Sequence, residues 1–137
     1  MQPESKKTTV SIGLVQPVVM ADFIYRIQDS DGRGPFKPGF SHVWVNERGD
    51  HENLKPCTQQ FDGIRNKLLL SEHYGCGCKN LKQLRRWFTK QEYKKLKKYG
   101  YRAVKMKVAR IVAESEIQVV FGRAIPLNEN IDEIRLY

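Results

Sequence analysis

The order of strand-like and helix-like segments constrains the fold of this chain more than any other feature. Residues 19–28 form an apolar run that ends at a turn signal, and residues 101–111 alternate between apolar and basic side chains. Between them, residues 58–70 and 81–99 place apolar side chains at helical spacing. In a chain of 137 residues this order predicts one α+β domain, with a small mixed or antiparallel sheet and about three helices. We assign this domain to residues 19–137 and expect a loose N-terminal segment over 1–18.

Three helices are predicted before the alternating strand. Residues 58–70 form the first and residues 81–89 the second. Thr89 and Glu92 have the spacing of a capping box, so a third helix is expected to begin there and to end before Gly100.

The segment between the first strand and the first helix is predicted to be a loop. Residues 29–34 combine aspartate, serine and glycine and indicate a tight turn. Residues 42–45 are expected to form a brief strand. Residues 29–52 as a whole are typical of a loop that contacts a ligand, within which His42 is either a binding residue or a surface histidine.

Polar side chains interrupt a strand predicted over residues 113–121. A period of two places Glu116 and Gln118 on one face and Ile117, Val119 and Phe121 on the other. A buried strand rarely carries a carboxylate next to a carboxamide unless something polar faces them. This strand is therefore a candidate site.

Arg26 lies within the apolar run of residues 23–27, after Tyr25. Its side chain either occupies a solvated face of the strand or reaches a polar cleft. In a cleft, its planar fork would hold a phosphate or a carboxylate through two contacts.

Basic residues are concentrated in residues 79–98, where Glu92 is the one acid, in a chain with a net charge of +9. Such a density can contact several phosphates, or it can be the solvated surface of two helices. Trp87 and Phe88 are predicted to be core residues. The candidate residues for binding nucleic acid or a partner are Lys82, Arg85, Arg86, Lys94, Lys95, Lys97 and Lys98.

The three cysteines are expected to be reduced and partly buried, because an odd count does not suggest a disulfide framework. The spacing of Cys76 and Cys78 is poor for a tetrahedral zinc site, and no metal is assigned. No apolar run of about 18 residues is present, so no membrane span is expected. These features predict a cytoplasmic protein.

Three of these segments together resemble the ADP-ribosyltransferase fold. The strand with Arg26, the aromatic loop, and the sequence from Glu114 through Glu116 resemble the family's early strand, middle segment and E-x-E entrance to a late strand. Residues 81–88 together with Gly100 and Gln118 also resemble a group of uncharacterised small proteins of bacteriophages and prophages.

The transferase resemblance implies cleavage of the nicotinamide glycosidic bond of NAD. It implies that Arg26, with Tyr25 and His42 nearby, holds the dinucleotide, that Glu116 stabilises the developing positive charge, and that Glu114 orients the acceptor. The nicotinamide ring would be covered by Phe36, Phe40 or Trp44. In an alternative register Gln118 takes the catalytic position, which implies binding without turnover.

Two functions are therefore expected. The first is a small phage ADP-ribosyltransferase-like protein that transfers ADP-ribose from NAD to a macromolecular target, or binds without turnover, in the cytoplasm of a bacterial host. The alternative is a noncatalytic inhibitor of a bacterial defence complex, which binds nucleic acid, a nucleic-acid-bound protein complex, or another protein surface.

Overall fold

A computed structural model describes residues 22–45 and 54–137. They form six strands, four α-helices and one 3₁₀ turn at Ile64–Lys67. The strands are β1 (Asp22–Gln28), β2 (His73–Gly77), β3 (Arg102–Val108), β4 (Arg110–Glu114), β5 (Val119–Arg123) and β6 (Ile131–Glu133). The helices are α1 (Ser41–Trp44), α2 (Cys57–Gln60), α3 (Leu81–Trp87) and α4 (Lys90–Lys98).

The strands form two antiparallel sheets of three strands each. One sheet has the order β1-β3-β6 and the other β2-β5-β4. The sheets are joined twice: β3 continues into β4 through Ala109, and Tyr25 of β1 exchanges two backbone hydrogen bonds of 2.8 Å with Cys78, just after β2. The α+β prediction is thus confirmed, and the sheets are antiparallel.

Strand β1 separates two apolar clusters, because its side chains alternate between its two faces. Ile24 packs with residues of β3 and with Val119 and Phe121 of β5. On the opposite face, Ile27 packs with the buried side chains of α3 and α4, including Leu84 and Leu96. Trp87 and Phe88 belong to this second cluster, so their prediction as core residues is confirmed.

The ends of α3 and α4 follow from local hydrogen bonds. The Asn80 side chain accepts a bond from the Gln83 backbone N–H and begins α3. Thr89 and Glu92 form the predicted capping box at the start of α4. Gly100 has a φ of +88°, which suits glycine and ends the helix as predicted.

Three predicted elements differ from the structure. Residues 58–70 are not one helix, because Gly63 adopts a φ of +68° between α2 and the 3₁₀ turn. Residues 42–45 are not a strand, since α1 covers Ser41–Trp44. Residues 113–121 are not a single strand but the hairpin of β4 and β5, joined by a turn over residues 115–118.

The prediction of three reduced cysteines is wrong for two of them. The fold brings Cys57 of α2 to Cys76 of β2, and a disulfide joins them across 19 residues of sequence. Cys78 is free and buried, and burial raises the pKa of its thiol to about 12.

The loose segment at 1–18 lies outside the described residues, and the ADP-ribosyltransferase-like architecture stays a prediction. Within residues 22–45 and 54–137, no helix has the length and apolar character needed to cross a bilayer. The same residues contain no group of three or more His, Cys, Asp or Glu side chains placed to hold a metal ion.

Candidate functional site

Arg26 is buried between the two sheets. The alternation of β1 places it on the inner face with Ile24 and Gln28, and its side chain is only 8% exposed. The guanidinium carbon lies 5.9 Å from the centre of the Phe121 ring. Arg26 therefore does not occupy a solvated face of the strand, one of its two predicted positions.

Two glycines of β2 leave the space that Arg26 occupies. A Cβ atom on Gly75 would stand 2.7 Å from Arg26 Nη1 and 2.9 Å from the Phe121 ring. On Gly77 it would stand 3.0 Å from the Tyr25 carbonyl oxygen. Any larger residue at Gly75 would therefore have to displace the arginine or the ring.

The Arg26 guanidinium lacks the partners that a buried cation requires. Its Nε and Nη1 atoms are shielded from solvent and have no hydrogen-bond partner among the residues that the structure describes. Desolvation lowers the pKa of Arg26 from 12.5 to about 10, although the negative charge of Asp29 opposes this shift. The group is still charged at neutral pH. A buried charge whose N–H groups lack acceptors is unfavourable, and binding of an anion would relieve this cost.

Two other arginines in this fold have hydrogen-bond acceptors for their guanidinium groups. The Arg123 side chain is also buried and donates to backbone carbonyls of Lys107, Pro126 and Asn130 at 2.7–3.0 Å. Arg110 donates to the Glu72 carboxylate at 2.8 Å. Both arginines hold segments of the fold together, whereas Nε and Nη1 of Arg26 have no such partner among the residues that the structure describes.

A cavity of about 410 Å³ lies next to Arg26. One wall comes from β1 and the loop after it, a second from β2 and the Cys57–Cys76 disulfide, and a third from α3. Most of the lining is apolar or aromatic. The lining residues are Arg26, Ile27, Gly34, Pro35, Phe36, Leu54, Pro56, Cys57, Cys76, Gly77, Cys78, Leu84, Trp87, Phe88 and Gln118.

An aromatic cluster borders this cavity. The Phe36 ring makes edge-on contacts with Trp44 and Trp87, at centroid distances of 5.0 and 5.7 Å, and a tilted contact with Phe88. Phe36 is 51% exposed, whereas Trp44 is fully buried and donates from its indole N–H to the Pro35 carbonyl. Of the three aromatic residues proposed to cover a ligand, Phe36 is thus the one that lines the cavity.

Gln118 lines the cavity, but its amide nitrogen is already engaged. Nε2 donates to the Lys55 carbonyl at 2.7 Å and to Gln60 Oε1 at 2.8 Å. These bonds tie the end of the hairpin turn to the segment that carries Cys57. The structure therefore places Gln118 near Arg26 and gives it a structural role at the cavity wall.

Glu114 and Glu116 do not line the cavity with Arg26. Glu114 is exposed at the end of β4 and forms an ion pair with Lys79 at 3.0 Å. Glu116 is exposed in the turn, where its backbone carbonyl accepts a hydrogen bond from Gln83. The two carboxylates lie on the surface of the hairpin.

The remaining candidates for cofactor contacts are dispersed. Tyr25 is half-buried and lies beneath the Lys105 ammonium, 5.9 Å from the ring centre. Phe40 stacks on Tyr101 at 5.6 Å. His42 is exposed on α1. None of these three side chains lines the cavity.

Sequence reasoning did not identify the cavity wall built by the disulfide, Leu54 and Pro56. A usable signal was present in residues 75–78, where glycine alternates with cysteine. A period of two places both glycines on one strand face, which indicates that another backbone or side chain approaches closely there.

The basic side chains of α3 and α4 form a second candidate site, which we call the basic face. All seven are exposed, and the acid among them, Glu92, is fully buried in the capping box. Arg85 also donates from Nε to the Leu136 carbonyl at 2.9 Å. The basic face consists of Lys82, Arg85, Arg86, Lys94, Lys95, Lys97 and Lys98.

Comparison with known proteins gives a family match. A family model described as "Bacteriophage T4 Y00F protein" matches residues 20–129, which include every strand except β6, all four helices, Arg26 and the basic face. No curated protein and no solved structure gives a significant match.

Proposed function

This chain belongs to the bacteriophage T4 Y00F protein family, and we propose that it is a phage protein that binds nucleic acid without catalysis. The observation that carries the proposal is the basic face, where seven exposed cations lie on two consecutive helices and the nearest acid in sequence is buried. Solvated helices of a neutral protein usually alternate the signs of their charges. A surface of one sign attracts phosphates at long range.

The geometry of α4 supports contact with a phosphate backbone. Lys94 and Lys98 are four residues apart and Lys95 and Lys98 three apart, so the three ammonium groups project from one side of the helix. All three are exposed. Repulsion among them is relieved when phosphates replace the counterions that they attract.

A matched pair of charge-reversal variants tests this proposal. The first carries Lys94→Glu, Lys95→Glu and Lys98→Glu. The control carries Lys37→Glu and Lys107→Glu together with Arg65→Glu, which change the net charge equally at exposed positions outside the basic face. Binding to a fluorescent duplex and to a single strand is measured by anisotropy from about 50 mM to about 200 mM salt.

We expect the basic-face variant to weaken binding by more than about tenfold and to reduce the slope of log K against log salt by up to about 3, since each phosphate contact contributes about 0.9. The control should change affinity far less. Equal losses in both variants would show that net charge alone drives binding. Absence of binding by the wild type at low salt would refute the proposal.

We extend this proposal to two classes of biological target. A phage protein with such a face can act on free nucleic acid, or on a nucleic-acid-bound protein complex of the host such as a defence complex, in the bacterial cytoplasm. Pull-down from host lysate with and without nuclease separates these targets, because only a protein-mediated contact survives nuclease treatment.

Transfer of ADP-ribose from NAD remains an alternative function. Arg26 and Gln118 line one cavity and Glu116 does not, so the observation that favours this alternative supports binding of NAD without turnover rather than transfer. Incubation with labelled NAD and host lysate tests it: transfer that is lost in Glu116→Ala supports an enzyme. No transfer and no NAD binding would remove this alternative.

A further inference from the structure

We propose that the cavity beside Arg26 binds one nucleotide, with its phosphate on the Arg26 guanidinium and its base against the aromatic lining. Only the source of the nucleotide depends on the proposed function, which is the binding of nucleic acid. The pocket itself is argued from its own residues.

The first step concerns charge. Arg26 is more than nine-tenths buried, and two of its nitrogens have no partner among the described residues. Its Nη2 atom lies beside Gly34, 3.3 Å from where a Cβ would stand, and Gly34 lines the cavity. The guanidinium thus reaches the cavity wall through Nη2, where a phosphate would supply an opposite charge and an acceptor.

The second step concerns the rest of the ligand. Leu84 and Trp87 of α3, with Phe88 just after it, form an apolar wall of the cavity, and Phe36 adds a ring that is half exposed. A hydrated inorganic ion gains nothing from such a wall. A planar base attached to the phosphate would stack on the rings and bury apolar surface.

The third step concerns size and position. A volume of about 410 Å³ lies toward the lower end of the range for small-molecule pockets, about 300–1,000 Å³. This suits a mononucleotide better than a dinucleotide. Helix α3 also contributes exposed Arg85 and Arg86 to the basic face, whereas its Leu84 and Trp87 line the cavity.

Calorimetric titration with AMP, adenosine and inorganic phosphate tests the site. AMP should bind, and adenosine should bind more weakly by about tenfold or more, since a hydrogen bond to a charged group contributes at least about that factor. Inorganic phosphate should also bind more weakly, because it lacks the base that would stack on the rings. Arg26→Met should abolish the preference of AMP over adenosine, and Arg26→Lys should retain part of it. The exposed Arg33→Met serves as the matched control and should behave as wild type.

Circular dichroism and thermal unfolding establish that each variant is folded. If Arg26→Met fails to fold, Phe36→Ala provides the second variant, because Phe36 is half exposed; it should weaken AMP but not inorganic phosphate. No heat or saturation with AMP at millimolar concentration, or equal affinity for AMP and adenosine, would overturn the proposal.

Oligonucleotides with and without a 5′-phosphate distinguish the two sources. If the 5′-phosphorylated strand binds more tightly and AMP competes with it, the ligand of the pocket is the end of a strand. AMP binding with no effect of the 5′-phosphate identifies a free nucleotide. If the protein binds oligonucleotides but not AMP, the pocket is refuted and the proposed function stands. If it binds AMP but not oligonucleotides, the proposed function is refuted and the pocket stands.

Discussion

Replacement of Arg26 by methionine should stabilise the protein when no ligand is present. Burial lowers the pKa of Arg26 from 12.5 to about 10, and each unit corresponds to 1.36 kcal/mol, so the folded state carries a cost of about 3 kcal/mol for this charge. This net cost already includes the attraction to Asp29, which opposes the effect of burial. Because a buried charge replaced by an apolar side chain of similar volume often gains stability, we expect the free energy of unfolding to rise by about 1–3 kcal/mol.

Urea unfolding, followed by tryptophan fluorescence, measures this change through the midpoint and slope of the transition. The control Arg33→Met removes an exposed arginine of the neighbouring turn and should shift the free energy of unfolding by no more than about 0.5 kcal/mol. The comparison isolates burial from the general effect of removing a positive charge.

The pH dependence gives a second readout with a defined sign. Arg26 has a lower pKa in the folded protein than in the unfolded chain, so its cost is present in full below pH of about 10 and is relieved as the pH rises from about 10 toward 12.5. The advantage of Arg26→Met should therefore be constant near neutral pH and shrink in strong alkali. A variant that loses about 1 kcal/mol or more at neutral pH would show that an acid of the chain already neutralises Arg26, and would refute this reasoning.

Three further predictions concern stability. Gly75→Ala should lower the free energy of unfolding by about 1–3 kcal/mol in urea titrations, because its methyl group would press on the Phe121 ring; no loss would show that the ring can move aside. Thr89→Ala should cost about 1 kcal/mol by removing the cap of α4, whereas Thr89→Ser should cost little. Reduction of the Cys57–Cys76 disulfide should lower the free energy of unfolding by about 3 kcal/mol, and reductant should leave a double serine variant unchanged.

Local chemistry explains which elements were predictable. The capping box at Thr89 and the stop at Gly100 act within a few residues, so the pattern alone locates α4. The failure at residues 113–121 is also local: the Ser115 hydroxyl accepts hydrogen bonds from the backbone N–H groups of Ile117 and Gln118 and forms a turn. An alternating pattern on both sides of that serine conceals the reversal of the chain.

The candidate site depends on distant residues and was only partly predictable. Arg26 stood out because a cation interrupts an apolar strand, and its burial agrees with one of the two alternatives. The cavity, however, needs the loop at Phe36, the disulfide of Cys57, and α3 to converge on it. Nothing in the spacing along the chain indicates that Gln118 lines the cavity and that Glu116 does not.

The pairing of β1 with β3, and of β2 with β5, also determines when the protein can fold. Strand β1 pairs with β3 in the register Asp22 to Val108, and β2 must wait for β5, which ends at Arg123. Helices α3 and α4 have local caps and can form early, whereas both sheets require contacts between distant parts of the sequence. During synthesis, strand β1 therefore remains without its partner until most of the chain has left the ribosome. In this period the backbone edges of β1 have no partner, so we expect aggregation to compete with folding until β3 is available.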